Sequence, residues 1–443
     1  MTTTAIVLAA GLGTRMKSAL PKAAHPLAGR PMLAHLLATI GESFDRIAVV
    51  IGPEMEILQK IAAPHPVCVQ KHRLGTAHAA LAAAAHFTEG DVAILFADNP
   101  LITSQTLSRL REARKAPNVG LALMAMRPKD PGRYGRLITE DGEVERIVEY
   151  KDATEEERAI TLCNAGALCG DAREILAWLR AITADNAAGE FYLTDLVALA
   201  RADGRSVVAV VAPEDELRGI NSRSELAEAE AVLQNRLREA AMDDGVTLTA
   251  PQTVFFSYDT QLAADTVVAP NVIFGPGVVV QGPAHIREFS HLENCVIAEG
   301  CIIGPFARLR PGTVLEKSVH VGNFVELKAT HMGEGAKANH LTYLGDASVG
   351  ARTNIGAGSI TCNYDGYSKH RTEIGAQVFV GSDSVMVAPL TIGDGAFIAA
   401  GSVITKNVQA DALAFGRARQ SDVQGGSAKF HAAQKARKVK DFS

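Results

Sequence analysis

The feature that most constrains the fold of this chain is a six-residue repeat in its second half. One aliphatic residue recurs every six positions in two unbroken runs, Ile297, Ile303, Leu309, Leu315, Val321 and Leu327, and then Ile374, Val380, Met386, Ile392, Ile398 and Ile404. An α-helix repeats every 3.6 residues and a strand every two, so neither accounts for this pattern. A coil of short strands does, because each side of the coil contributes one inward aliphatic side chain. The second half is therefore predicted to be a hexapeptide β-helix.

The repeat is interrupted in two places. Its phase shifts between Leu327 and Ile355, and it breaks again from Cys362 to Glu373. The stretch Thr361–Tyr367 inside the second break is polar, aromatic and turn-rich. We predict that it forms a loop outside the coil, where a rigid scaffold commonly carries functional residues.

The first half of the chain has a different pattern, in which short apolar runs alternate with helix-forming stretches. The ranges 4–10, 47–51 and 91–96 read as buried strands, and 32–40 and 76–86 read as helices. Continuous apolar strands that alternate with helices are typical of a mostly parallel sheet covered on both faces. The first half is therefore predicted to be α/β.

A long helix is predicted between the two halves. Ser222 and Glu225 have the spacing of a capping box, apolar residues follow at helical spacing as far as Met242, and Asp243-Asp244-Gly245 ends the helix. The predicted boundaries are therefore 1–221 for an α/β domain, 222–243 for a connecting helix, 244–420 for the β-helix and 421–443 for a polar basic tail. For the tail we favour a solvated segment over an interaction arm.

Composition excludes several classes of protein. A chain of 443 residues suggests two or three domains, and 44 Lys and Arg against 49 Asp and Glu argue against a nucleic-acid binder. No apolar run approaches the roughly 18 residues of a membrane span, and the amino terminus lacks the charged start of a secretory signal. Six scattered cysteines do not form a disulfide framework. We therefore expect a protein of the reducing cytoplasm with neither a nucleic-acid nor a membrane partner.

A glycine-rich turn follows the first predicted strand. It reads Leu-Ala-Ala-Gly-Leu-Gly-Thr-Arg-Met over 8–16, and Leu-Pro-Lys follows at 20–22. It is neither a dinucleotide fingerprint nor a Walker A loop, and glycine alone leaves an ordinary tight turn as an equal alternative. Arg15 and Lys22 favour a phosphate site, because a triphosphate needs fixed positive charge as well as backbone amides.

This motif resembles the signature of sugar-1-phosphate nucleotidyltransferases. The resemblance implies catalytic roles for Arg15 and Lys22, which would face the phosphates. It implies that the nucleotide is bound by Leu8, Ala9, Ala10, Gly11, Gly13, Lys22, Gln70, Gly75 and Thr76, with the last three at the positions that read uracil. It implies that the sugar is bound by Gly135, Glu149, Asn164 and Asn221, and that Mg²⁺ is bound by Asp98 and Asn221. Ala97 departs from the aromatic-Gly-Asp pattern of that family.

These assignments suit the residue types. An amide such as that of Gln70 offers a donor and an acceptor to a base edge, and the oxygens of Asp98 and Asn221 suit Mg²⁺. Without the resemblance, Gln70 and Glu149 read as ordinary surface residues, and Asn221 equally well as a helix cap. The implied reaction is in-line attack by a sugar phosphate on the α-phosphorus, which depends more on positioning and charge than on acid–base chemistry.

A second set of motifs lies in the coil, at 322–328, 337–346, 354–358 and 362–367. These stretches resemble the acetyltransferase half of the bifunctional enzymes that make UDP-N-acetylglucosamine, a precursor of peptidoglycan and lipopolysaccharide. The resemblance implies that His340 is the base, which fits an imidazole with an ordinary pKa of about 6.5. It implies that the amino sugar phosphate is bound by Arg310, Lys328, Tyr343 and Asn354. It implies that acetyl-CoA is bound by Ala357, Asn363, Tyr364, Ser382, Ala400 and Arg417.

Together the resemblances imply two consecutive reactions. Glucosamine 1-phosphate would be acetylated by acetyl-CoA, and UTP would then convert N-acetylglucosamine 1-phosphate to the nucleotide sugar with release of pyrophosphate. The family also implies left-handed coil winding and a homotrimer with acetylation sites shared between coils. The alternatives are a nucleotidyltransferase for another sugar with a regulatory coil, and a non-catalytic scaffold. The chemistry-bearing residues Arg15, Lys22, Asp98 and His340 argue against the scaffold.

Overall fold

The computed structural model describes residues 2–186 and 189–440, with backbone only for the last two of them. The chain divides into two compact units. The first comprises Met1–Ala241 and Phe256–Asp259, and the second comprises Met242–Phe255 and Thr260–Ser443. None of the helices in these described ranges is both long and apolar enough to span a membrane.

The first unit is an α/β sandwich. Its strands are β1 Thr3–Leu8, β2 Pro26–Leu27, β3 Arg30–Pro31, β4 Arg46–Ile51, β5 Val67–Val69, β6 Asp91–Phe96, β7 Val119–Met126, β8 Arg136–Glu140, β9 Glu143–Val148, β10 Cys163–Asp171 and β11 Ser206–Val211. Its helices are α1 Met32–Gly41, α2 Glu56–Ala62, α3 Thr76–Leu81, α4 Ser104–Arg114, α5 Glu155–Arg158, α6 Ala172–Ala181, α7 Leu196–Ala202, α8 Glu214–Leu217 and α9 Arg223–Asp243. Short 3-10 turns occupy Thr14–Met16, Lys22–Ala24, Ala84–His86 and Leu193–Asp195.

The main sheet has the strand order β11-β7-β10-β6-β1-β4-β5, with β8 paired to β10 and to β9. Strand β1 runs parallel to β4 and β6, whereas β10 runs antiparallel to β6 and β7. Alternate residues of β1 enter different apolar clusters, Ala5 and Val7 in one and Ile6 and Leu8 in the other. Both faces are therefore covered, which explains the continuous apolar strands and confirms the prediction of a mostly parallel α/β sheet.

Helix α9 begins where the sequence predicts a helix, but its cap differs from a capping box. The Ser222 hydroxyl accepts the Glu225 N–H at 3.2 Å, as expected. The Glu225 carboxylate, however, accepts the N–H of Asn221 at 2.6 Å rather than that of Ser222. The helix also buries Ala229 in a cluster with Leu27 and Met32. It therefore packs against β2 and α1 within the first unit.

The second unit is a parallel β-helix with three faces. The first face contains Thr247–Leu248, Val267–Val268, His285–Ile286, Ile302–Ile303, the start of His320–Lys328, the start of Lys337–Gly345, Asn354–Ile355, Phe379–Val380, Phe397–Ile398 and Leu413–Ala414. The second contains Ile273–Phe274, His291–Leu292, Arg308–Leu309, the ends of the two long strands, Ile360–Cys362, Val385–Val387 and Val403–Ile404. The third contains Gln261–Leu262, Val279–Val280, Cys295–Ile297, Thr313–Leu315, His331–Met332, Ala347–Val349, Thr372–Ile374 and Leu390–Ile392.

The register of the coil explains both interruptions of the repeat. Ile302 pairs with His320, so one turn of the coil there contains three complete repeats. His320 pairs with Lys337 and Lys337 with Asn354, and each of these two turns is one residue short of three repeats, so the phase shifts. Asn354 then pairs with Phe379, well beyond three repeats along the chain, because the loop that follows Cys362 leaves the coil within this turn.

The predicted inward residues are buried, and most aromatic side chains of the coil lie outside it, although Phe274 is buried. All twelve aliphatics of the two six-residue runs are at most 5% exposed. The rings of Phe289, Phe306 and Phe324 occupy one corner in successive turns and stack on one another, with centroids 4.9 and 5.2 Å apart. We call this exposed column, with Leu341 above it, the corner column. After the coil, helix α10 (Gly426–Lys440) has exposed side chains as far as they are described.

Candidate active sites

The glycine-rich turn of the first unit borders a cavity of about 250 Å³. It begins where β1 ends in the middle of the sheet, and parallel strands commonly bind ligands at that edge. The cavity brings together most of the predicted nucleotide residues, Leu8, Ala9, Ala10, Gly11, Lys22, Gln70, Gly75 and Thr76, and the predicted metal ligand Asp98. Gly13 lies behind Lys22, with a positive φ of 62°, and an added Cβ would come within 2.6 Å of the Lys22 side chain. Arg15 is exposed in the 3-10 turn and does not line this cavity in the described ranges 2–186 and 189–440.

Three predicted side chains meet beside this cavity. The Lys22 ammonium donates to Asp98 Oδ2 at 2.5 Å and to Asn221 Oδ1 at 2.9 Å. The Asp98 side chain is 18% exposed. Asn221 precedes α9, and its side-chain oxygen serves Lys22 rather than capping the helix. A carboxylate and an amide oxygen thus converge on one cation, which is the donor set that Mg²⁺ accepts together with phosphate oxygens and water.

Gln70 directly follows β5 and is 3% exposed. Its Nε2 donates to the Gly75 carbonyl at 3.1 Å and lies 3.1 Å from His78 Nδ1. The sequence predicts an amide that offers both a donor and an acceptor to a base. In the structure both amide hydrogens are already used within the protein, so the side chain offers only its oxygen.

A second and larger cavity, of about 670 Å³, adjoins the first and shares Thr76, Phe96 and Glu190 with it. Two predicted sugar residues, Glu149 and Asn164, line it. Gly135 lies next to Glu149, because a Cβ on Gly135 would come within 3.5 Å of the Glu149 carboxylate. Burial, and then the charges of Asp152 and Asp195, raise the pKa of Glu149.

Several lining residues were missed by the sequence reasoning. Arg73 lines the smaller cavity and donates from Nε to the Ala10 carbonyl at 2.8 Å. Tyr192 lines the larger cavity, and Glu190 lines both. Arg73 was detectable as a cation between Gln70 and the glycine at 75. The residues at 190–192 belong to no repeat or motif of the sequence.

In the second unit His340 lies at the corner between the first two faces of the coil and is exposed. Its Nδ1 is 2.8 Å from Asn323 Oδ1. These two residues are Cα partners in adjacent turns, so the parallel register places their side chains one above the other. An amide oxygen accepts, and the geometry therefore puts the ring proton on Nδ1 and leaves the Nε2 lone pair open.

The acetyl-CoA residues predicted in the coil continue the line of His340 along this corner. Ala338 pairs with Ile355, which places Ala357 opposite His340 in the next turn. The following turns bring Ser382 and then Ala400 to the same corner, since Asp383 donates to the Ala357 carbonyl and Gly401 to the Ser382 carbonyl, both at 2.7 Å. Ser382 and Ala400 adjoin this edge, and Ala400 is exposed there, so a ligand can run along it.

A cluster of charged residues forms at the far end of the second face. Lys328 Nζ lies 3.4 Å from Asp346 Oδ2, and Asn363 also donates to that oxygen. Lys369 lies in the loop outside the coil, and the positive charge of the neighbouring Lys328 ammonium lowers the pKa of Lys369. The sequence reasoning missed Lys369, although it is a cation in the predicted loop. Arg310, one turn before Lys328, pairs with Glu326 at 2.9 Å.

The remaining predicted residues of the coil are distributed around these two groups. Tyr343 lies on the second face opposite Glu326, and its hydroxyl is close enough to Gly345 to exclude a Cβ there. Asn354 lies on the first face between Lys337 and Phe379. Tyr364 is 60% exposed in the loop, and its hydroxyl donates to the Gly366 carbonyl at 2.6 Å. Arg417 is exposed beside Gly401.

Fold and sites together define a two-part transferase, in which a nucleotide-site α/β unit precedes a coil of hexapeptide repeats. Comparison with known families agrees. Residues 5–238 match the MobA-like NTP transferase domain, and residues 371–406 match the bacterial transferase hexapeptide family with six repeats. The predicted fold class is thus confirmed.

Near full-length relatives identify the family. The chain is 62% identical to the bifunctional protein GlmU of Gluconacetobacter diazotrophicus, over 98% of this chain and 95% of that protein. It is 58% identical to the bifunctional protein GlmU of Acidiphilium cryptum, over 97% and 98% of the two chains. The protein of the same name from Paramagnetospirillum magneticum is 51% identical over 98% of each. The chain therefore belongs to the GlmU family of bifunctional proteins.

Proposed function

We propose that the chain catalyses two consecutive reactions on one sugar. The second unit transfers the acetyl group of acetyl-CoA to the amine of glucosamine 1-phosphate. The first unit then transfers uridylyl from UTP to N-acetylglucosamine 1-phosphate and releases pyrophosphate. The observation that carries this proposal is the match to bifunctional relatives over 97–98% of the chain, together with chemically suitable side chains in both units. We assign 1–221 and 244–420 to the two activities, 222–243 to the connecting helix and 421–443 to the tail.

In the first unit, the smaller cavity is proposed to hold the uridine triphosphate and the larger one the sugar. Lys22 and Arg15 would face phosphate oxygens, and the open Oε1 of Gln70 would face the base. Glu149 would accept hydrogen bonds from sugar hydroxyls. The amide of Asn164 would both accept hydrogen bonds from the sugar and its acetamido group and donate hydrogen bonds to them. Asp98 and Asn221 would hold Mg²⁺, which neutralises charge on the phosphates during transfer. The convergence of their oxygens on the Lys22 ammonium supports this set.

In the second unit, His340 is proposed to act through Nε2. The substrate amine reaches the site as an ammonium, and only the neutral amine attacks a thioester. Nε2 takes the amine proton, the new N–C bond forms at the acetyl carbonyl, and the C–S bond breaks, so that coenzyme A leaves as a thiolate and is then protonated. Asn323 supports this role because its oxygen holds the ring in the Nδ1–H tautomer.

The remaining residues would bind the two substrates of acetylation. Lys328, Arg310 and Lys369 supply positive charge for the sugar phosphate at the far end of the second face. Tyr343 and Asn354 would orient the sugar. Acetyl-CoA would lie along the corner that carries Ala357, Ser382 and Ala400, with contacts from Asn363, Tyr364 and Arg417.

We further propose that the chain forms a homotrimer with shared acetylation sites. His340 is exposed on a single coil, and it adjoins the corner column, whose apolar side chains are also exposed. A second copy of the coil that packs on this column would cover both at once. Light scattering should give three times the mass of one chain. We place the enzyme in the cytoplasm, where acetyl-CoA and UTP are made and where its six free cysteines stay reduced.

One assay tests both activities. The protein receives glucosamine 1-phosphate, acetyl-CoA, UTP and Mg²⁺, and free thiol and pyrophosphate are followed separately. Thiol release is expected first, and pyrophosphate follows. In His340→Ala we expect thiol release to fall by about 10²–10⁴-fold while pyrophosphate formation from supplied N-acetylglucosamine 1-phosphate stays unchanged. An absence of thiol release from the unaltered protein would rule out the acetyltransferase, and an absence of pyrophosphate from the supplied intermediate would rule out the uridylyltransferase.

A further inference from the structure

Behind Gln70, which lines the smaller cavity of the first unit, lies a polar group that neither the motif nor the catalytic residues explain. His78, on α3, directs its Nδ1 toward Gln70 rather than toward solvent. We infer that His78 is a positioning residue that fixes the amide of Gln70 and thereby sets the preference of the enzyme for uridine over cytidine triphosphate. This inference rests on the proposed role of Gln70 at the base.

The orientation of the Gln70 amide follows from its neighbours. The Gly75 carbonyl accepts only, so the amide atom 3.1 Å away from it must be the nitrogen. The second hydrogen of the same nitrogen points to His78 Nδ1, also at 3.1 Å. His78 therefore accepts at Nδ1 and carries its own proton at Nε2. Within residues 2–186 and 189–440 no donor reaches Gln70 Oε1, which leaves this oxygen for a ligand.

The partners of Gln70 are themselves held rigidly. A Cβ on Gly75 would come within 2.4 Å of the Phe191 carbonyl, so the backbone there is tightly packed. The same carbonyl accepts the Ala77 N–H at 3.0 Å. The His78 ring lies against the Phe191 ring, with centroids 6.3 Å apart. Thr76 accepts the Leu193 N–H at 2.9 Å, which joins α3 to the same segment. His78 can therefore fix the amide rather than move with it.

A fixed acceptor distinguishes the two pyrimidines. Uracil presents N3–H, a donor, to such an oxygen, whereas cytosine has nearly the same shape but presents an unprotonated N3. Two acceptors that face each other in a buried site both lose their hydrogen bonds, and this penalty drives discrimination between similar substrates. If the amide turned over, its NH₂ group would favour cytosine instead. Gly75 alone opposes that rotation only in part, and His78 adds the second constraint.

The test compares uridine and cytidine triphosphate in the full chain. We would measure kcat/KM for both nucleotides with N-acetylglucosamine 1-phosphate, and binding of both by calorimetry, for the unaltered protein and its variants. His78→Leu and His78→Phe remove the acceptor, and the second keeps a ring against Phe191. His78→Gln keeps an acceptor. His86→Leu, in the 3-10 turn beyond α3, is the matched control.

We expect the preference for uridine triphosphate to fall about tenfold in His78→Leu and His78→Phe. His78→Gln should stay within about threefold of the unaltered protein, and His86→Leu should match it. The inference is overturned if both non-accepting variants fold, as judged by thermal unfolding and intact acetyl transfer, yet keep the original preference. It is also overturned if His78→Gln loses as much preference as His78→Leu. Failure of the unaltered protein to turn over uridine triphosphate would refute the proposed function instead, and calorimetry would still decide the inference.

Discussion

The two sites of this chain solve different chemical problems with different surroundings. In the first unit, Lys22, Asp98 and Asn221 are joined by short hydrogen bonds beside two adjoining cavities within one unit. In the second unit, His340 has a single side-chain partner and is exposed on the surface of the coil, as far as residues 2–186 and 189–440 show. Phosphoryl transfer depends on fixed charge, which one folded unit can supply. Acetyl transfer depends on one proton acceptor. Because His340 is exposed on a single coil, groups outside that coil must exclude water from it.

The largest difference between the two activities is expected when a charge is removed from the nucleotide site of the first unit. Asp98→Ala should lower uridylyl transfer about 10³-fold or more, because Lys22 loses its carboxylate partner and the proposed metal loses a ligand. Pyrophosphate release at saturating Mg²⁺ measures this. Acetyl transfer should stay unchanged, since Asp98 belongs to the other unit.

Asp215→Ala is the matched control for that variant, because Asp215 is an exposed acidic residue of α8. It should leave both activities unchanged. A folded Asp98→Ala protein that loses both activities would contradict the view that the two sites work independently.

Acetyl transfer in the second unit should depend on the corner column, whereas uridylyl transfer in the first unit should not. Phe306→Asp places a charge in the middle of the stacked rings. If a second copy covers this column, the variant should have the mass of a single chain and acetyl transfer should fall about 100-fold, because substrate positioning is lost. Uridylyl transfer should be retained. Light scattering and the two product assays measure these effects.

Phe430→Asp, on the exposed α10 helix, controls for an added charge on an exposed ring. Retention of trimer mass by Phe306→Asp would refute the proposed interface. If Phe306→Asp remained a trimer but lost acetyl transfer, the corner column would position the substrate without being needed for assembly.

A smaller effect is expected from the side-chain partner of His340, Asn323, which should influence the proton affinity of the imidazole. Asn323→Asp would place a carboxylate 2.8 Å from Nδ1 and raise the pKa of His340. Since the base must be neutral, the acidic limb of the pH profile for acetylation should move to higher pH, and activity near pH 6 should fall about tenfold. Asn271→Asp, in an exposed turn, should leave the profile unchanged. An unmoved profile in Asn323→Asp would mean that His340 is not the titrating base.

The two regions also differ in how far the sequence could predict them. The coil was predictable, because each inward position such as Ile303 or Ile398 must be aliphatic and buried. The corner column was not, since outward side chains are free of that packing constraint. In the first unit, Lys22 contacts Asp98 and Asn221, which lie 76 and 199 positions further along the chain. Before the structure, only the resemblance to a family linked these three residues. The contact between Gln70 and His78 depends on amide orientation, which a sequence pattern does not encode.

The smallest effect concerns the partly buried carboxylate of Glu149, which lines the larger cavity of the first unit. Burial and two nearby acidic groups raise the pKa of Glu149 above its unfolded value. A group with a raised folded pKa favours the folded state most at low pH, and this advantage is lost as pH rises through the folded pKa. Glu149→Gln should therefore be more stable than the unaltered protein at pH 8, by no more than about 1 kcal/mol, with the difference shrinking toward pH 4. Thermal unfolding across this pH range measures the effect.

The same substitution should also weaken sugar binding, because an amide accepts hydrogen bonds from hydroxyls more weakly than a carboxylate does. Calorimetry with N-acetylglucosamine 1-phosphate measures that loss, and Glu140→Gln, at the exposed end of β8, provides the matched control for both readouts. A stability difference that widens at low pH would mean that the Glu149 charge is favoured in the folded protein, so that the larger cavity is a more strongly solvated site than its burial indicates.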